Sequence, residues 1–119
     1  MAQKFIFKAE EASRVVSWPC KLSVPVGPGK FEEQEIVARF RLVPPERMAD
    51  ALKVQNMMGA NGDVLQLKEC LVGFEGLKKE DGSSVDDETA LAVMLSLPYA
   101  VRGLAAGYWD MVQGRLPKN

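Results

Sequence analysis

Adjacent prolines at positions 44 and 45 divide the chain between two apolar periods, and that division constrains the fold more than any other feature. Before them, apolar residues alternate. Ile36, Ala38, Phe40 and Leu42 point one way while Glu35, Arg39 and Arg41 point the other, the period of a half-buried strand. Cys20, Leu22, Val24 and Val26 alternate likewise, and the Gly27 to Lys30 segment between the two runs has the composition of a turn, so the economical reading is a β-hairpin. Pro25 has no N–H for a ladder, which places its strand at an edge or breaks it there. Phe5 and Phe7 alternate with Lys4 and Lys8, and this short run is the expected third strand.

After the prolines the period lengthens. Pro45 suits a first helical position, because its missing N–H would lack an intrahelical partner anyway, and Met48, Ala51, Leu52, Gln55 and Met58 follow at helical spacing. Gly59 and Asn61-Gly62 read as a stop. Asp63 is then the expected N-cap of a second helix, with Gln66 three residues on as in a capping box, and Val64, Leu67, Lys68 and Leu71 form its stripe; Gly73 and Gly76 bracket its exit. Asp81-Gly82 reads as a turn and the surrounding segment as a loop. Ser84 or Asp86 caps a third helix carrying Leu91, Met94 and Leu95, which Pro98 interrupts. A last helix, from about Tyr99 to Gly114, carries Val101, Leu104, Ala105, Tyr108 and Val112 on one stripe, and Gly103 and Gly107 on a second where a neighbouring backbone can approach.

With 119 residues there is enough chain for one core and too little for two. The expectation is therefore a single α+β domain over 1–119: an N-terminal antiparallel hairpin or three-stranded unit (mainly strands over 1–43), about four α-helices (44–114), and a flexible tail at 115–119. The chain is 47% hydrophobic and 26% charged, a mixture that can offset chain entropy by burial. Its net charge of −1 advertises neither nucleic acid nor anionic lipid as a partner. No stretch reaches the ~18–20 apolar residues of a membrane span, and Met1 to Phe7 is too short for a secretory apolar region, so the expected location is the cytoplasm.

There are no histidines, which removes the commonest general base and the commonest metal ligand. No GxSxG or SxxK pattern supplies a nucleophile, and the glycines at 27 and 29 precede a strand rather than the helix that a phosphate cradle requires. Glu32-Glu33-Glu35 and Asp86-Asp87-Glu88 are read as solvated surface, the second as the acidic first turn of a helix, rather than as a metal site or an acid/base pair. Arg39, Arg41, Lys78 and Lys79 are balanced by nearby acids and do not make a nucleic-acid footprint. Cys20 and Cys70 have spacing that permits a disulfide, but in this context they read as reduced, inert core residues. The expectation is a chain with no catalytic residues, no cofactor and no metal.

Binding has more material. Six methionines are many for this length, and Met48, Met57 and Met58 gather on or beside one helix, either as core filling or as an adaptable apolar groove. Tyr108 and Trp109 are adjacent, so a helix points them about 100° apart and the main stripe takes only one cleanly. Trp109 is therefore the candidate for a subunit or partner contact, set against simple packing beneath a loop.

The succession Ile36-Val37-Ala38-Arg39-Phe40-Arg41-Leu42-Val43-Pro44-Pro45, then Leu71-Val72-Gly73-Phe74-Glu75-Gly76-Leu77 with Glu80-Asp81-Gly82, then Leu97-Pro98-Tyr99-Ala100-Val101-Arg102 and a Tyr108-containing helix, resembles the tail assembly chaperones of long-tailed, siphovirus-like bacteriophages and prophages. Phe74 stands where that pattern has tryptophan, which keeps an aromatic. The resemblance implies a non-catalytic protein of the host bacterial cytoplasm that binds the tape measure protein, keeps it soluble, and is displaced as tail tube subunits polymerise. It also implies self-association into a ring or spiral, and a longer product made by translational frameshifting. Pro117-Lys118-Asn119 is compatible with codons that contain the slippery run A-AAA-AAC. A minor structural tail protein retained in the virion is the alternative role.

Overall fold

The fold was described from a computed structural model, which describes residues 4–5, 8–9, 14–47, 49–50, 53 and 60–114. The alternating half forms a long hairpin. Strand β1 (Val15–Gly27) pairs antiparallel with β2 (Lys30–Arg41), and Gly29, at φ +69°, supplies the left-handed backbone that the tight turn requires. Register sets Val16 against Phe40, Trp18 against Ala38 and Cys20 against Ile36, so both runs turn their apolar parity to the same face. Cys20, Leu22, Ile36, Ala38 and Phe40 are buried there. Toward the turn the hairpin leaves the core, and both Val26 and Phe31 are exposed.

The third strand is not the Phe5 run. Strand β3 (Leu71–Glu75) lies antiparallel on the other side of β2, with Ala38 opposite Phe74 and Arg39 opposite Gly73, giving the order β1-β2-β3. Phe5 is exposed and outside any strand, while residues 6 and 7 lie outside the described residues. The reason is local and tertiary at once. Leu71 continues the helical spacing of Val64 and Leu67, so helical periodicity runs into the boundary, but β2 has a second edge whose backbone groups need partners. A strand of only 5 residues satisfies them.

Residues 45–47 and 49–50 are helical, as the Pro44-Pro45 step predicts, whereas Ala51, Leu52, Gln55 and Met58 of the expected stripe lie outside the described residues. Helix α1 (Ala60–Cys70) begins earlier than expected. Asn61 and Gly62 belong to its first turn instead of ending a previous helix, and Asp63 sits in that turn rather than capping it, where its charge still faces the positive end of the dipole. The inward face is Gln66, Leu67 and Cys70, and Lys68 is exposed rather than laid along the core.

Beyond β3, Gly76 at φ +70° turns the chain, and a short hairpin closes through a Lys78–Ser84 bridge around Gly82. Helix α2 (Asp87–Met94) is capped by the Asp86 carboxylate, which accepts the Thr89 N–H at 3.0 Å. Helix α3 (Pro98–Val112) starts with proline in its first turn and buries Ala100, Val101, Leu104, Ala105 and Tyr108. Val112, expected on the same stripe, is exposed at the last residue of the helix.

The two glycines of α3 explain how the helix packs on the sheet. A Cβ built at Gly107 would overlap the Cys20 sulfur, and one at Gly103 would overlap the Lys21 carbonyl oxygen and lie 2.6 Å from Leu22 Cδ2. Helix α3 therefore seats with its backbone against β1. At the centre of the resulting core the Phe40 and Tyr108 rings meet edge to face, with centroids 5.4 Å apart, and the Tyr108 hydroxyl accepts the Val43 N–H at 3.3 Å.

Strand β1 is one of the two edges of the sheet and contains two prolines. Pro19 and Pro25 both stay in the ladder, opposite Val37 and Phe31, and a proline so placed turns its nitrogen to the unpaired side. The β1 edge thus lacks a donor at two positions. Beyond Pro25 the register shifts before Gly27, so the strand is both an edge and irregular there.

Candidate functional site

A concavity of about 510 Å³ lies where the exposed part of the hairpin stands away from α3. One wall is Pro25 and Phe31, which face each other directly across the hairpin. The other is Pro98 and Tyr99 at the start of α3. Between them Gly103 and Ala106 form a floor with almost no side chain, and Lys21 and Arg102 supply charge. Tyr99, Arg102, Gly103 and Ala106 share one helix face because they recur at helical spacing. Phe31 is 71% exposed although it is aromatic, since it falls on the same strand parity as Glu33 and Glu35 rather than on that of Ile36.

Among the described residues no carboxylate lines the groove. Lys21, itself mostly covered, has Glu33 Oε1 3.8 Å from its Nζ, whereas Arg102 is exposed, so the positive bias of the groove lies at the Arg102 side. Apolar walls, a bare floor and flanking cations suit holding a peptide segment.

Of the residues singled out in the sequence, Met48, Met57 and Met58 lie outside the described residues. Trp109 is half-buried, packs against the core and stacks edge to face on Tyr108 with centroids 5.8 Å apart; it does not line the groove. Sequence reasoning missed Phe31 and Tyr99. The signal for Phe31 was available, as an aromatic on the polar parity of an alternating strand.

The groups with chemical potential are otherwise engaged. Cys20 and Cys70 are buried free thiols, and burial pushes both up to about 12, far from the thiolate a nucleophile needs. Asp86 caps α2, while Asp87 pairs with Arg39 and accepts the Phe74 N–H at 3.3 Å. Among the described residues no cluster of three Cys, Asp or Glu could hold a metal ion, and no single helix is long and apolar enough to cross a membrane.

No protein-family model, curated protein or solved structure matches the chain.

Proposed function

We propose that this chain is a tail assembly chaperone of a long-tailed bacteriophage or prophage, which binds the tape measure protein in the host cytoplasm and holds it soluble until tail tube subunits displace it. The observation that carries this reading is the open groove between Phe31 and Tyr99, apolar on both walls. A long coil-forming client exposes many apolar stripes, and a small protein that covers one stripe per copy gains by repetition along the client. Self-association into a ring or spiral would align many such grooves around one chain. The ordered segments from Ile36 to Pro45, Leu71 to Gly82 and Leu97 to Arg102 supply the family resemblance on which the client's identity rests.

Co-expression tests it. The tape measure protein encoded beside this chain should move from the insoluble to the soluble fraction when the chain is present, and purified virions should lack the chain by mass spectrometry. A client that stays insoluble in every ratio, or stoichiometric retention of the chain in the particle, overturns the proposal.

A further inference from the structure

The groove has properties that select among the segments a client could offer. Between the Phe31 and Tyr99 walls its lining is Ser23, Gly103 and Ala106, so no large apolar side chain stands between the walls. An added β-strand is a poor occupant, because Pro19 and Pro25 remove donors from the β1 edge along which it would have to pair. Among the described residues the charged groups that line the groove are Lys21 and Arg102, and Glu33 and Asp110 lie beside Lys21 in the adjoining concavity. Lys21 already faces Glu33 at 3.8 Å, which leaves exposed Arg102 as the stronger attractor.

We propose that this groove receives an amphipathic helix of another polypeptide, with its apolar stripe between Phe31 and Tyr99 and carboxylates flanking that stripe toward Arg102 and Lys21. The proposal rests on the reading of the chain as a holder of coil-forming polypeptide, and names the chemistry of the segment it takes. A helix flanked by lysines meets the same walls but is repelled at Arg102. Acidic flanks give the attraction its salt dependence, since Arg102 is exposed.

Two labelled synthetic helices, each with a leucine stripe and flanked either by glutamate or by lysine, are titrated with the full chain and followed by fluorescence anisotropy. The glutamate peptide should bind roughly tenfold more tightly than the lysine peptide at low salt, with the gap shrinking as salt is added. Arg102→Glu should weaken the glutamate peptide roughly tenfold and strengthen the lysine peptide, whereas Phe31→Ser should weaken both. Both sites are exposed, and an unchanged melting temperature shows that the fold survives each substitution. Equal affinity for the two peptides, or an Arg102→Glu variant that binds both like the parent, overturns the proposal. So does self-association that Arg102→Glu abolishes and the glutamate peptide fails to compete, which would assign the groove to a second copy. If the parent and Arg102→Glu rescue the tape measure protein equally, the groove assignment falls and the chaperone reading stands. If the parent binds the glutamate peptide selectively but rescues no tape measure protein, the chaperone reading falls alone.

Discussion

Arg39 of the central strand and Asp87 of α2 form an ion pair, Nη2 to Oδ2 at 2.5 Å, directly over Gly73 of β3. A Cβ at Gly73 would come within 2.5 Å of the Asp87 carboxyl carbon and 2.7 Å of Arg39 Nη2, so the pair exists because position 73 has no side chain. Asp87 also holds the Phe74 N–H, which ties α2 to the edge strand that the helix follows in sequence.

Asp87→Ala should destabilise the fold by ~1–2 kcal/mol in urea unfolding, since it removes a partly exposed ion pair and a backbone acceptor together. Arg39→Ala alone should cost less, and the double variant should show a coupling of ~1 kcal/mol or below. Gly73→Ala should cost more than either, because the added carbon displaces both partners. Additive single losses, or a neutral Gly73→Ala, would remove the pair from any part in stability.

The approach of α3 to β1 makes a sharper contrast. Gly107→Ala should lower stability by ~1–3 kcal/mol, as overpacking against the Cys20 sulfur forces the helix away from the sheet. Ala106→Ser, one position earlier on an exposed site, should stay within ~0.5 kcal/mol. Thermal melts followed by circular dichroism separate the two.

At the core, Tyr108→Phe keeps the edge-to-face contact with Phe40 and removes only the hydroxyl that accepts the Val43 N–H. A loss of ~0.5–1.5 kcal/mol is expected, the ordinary net worth of one such bond. Hydrogen exchange at Val43 should accelerate in the variant; unchanged protection there would mean the N–H has another partner.

The thiols give a pH dependence whose sign is fixed by burial. Cys20 and Cys70 stay protonated in the folded chain to about 12, against an ordinary value of 9.0, so the folded state binds more protons than the unfolded one between those limits. Their contribution to stability is whole below about pH 9 and is lost progressively as the pH rises toward 12. Replacing both with alanine or serine should flatten that alkaline loss. In native buffer both thiols should react slowly with a thiol reagent and promptly once urea unfolds the chain; rapid native reaction would contradict their burial.

Much of this architecture was legible before any coordinates. The alternating parity of Ile36, Ala38 and Phe40 located the hairpin's buried face, and the stripe from Val101 to Tyr108 located the inner face of α3. Gly103 and Gly107 were readable as a seat for a neighbouring backbone, and that neighbour is β1. What escaped were features decided by partners distant in sequence. Leu71–Glu75 became a strand because β2 had an open edge, a demand that periodicity around Leu71 does not record. Gln66 turned inward although its spacing from Asp63 suggested a cap, since the helix had already started at Ala60. The candidate groove was hidden for a similar reason. Phe31 and Tyr99 carry their own local signals, but only the twist of the hairpin against α3 sets them across from each other.

The prolines at 19 and 25 matter most where copies of the chain are crowded together. Local concentration there would be high enough for exposed sheet margins to fuse into extended cross-β stacks. A margin interrupted twice along its length offers no continuous template for such growth.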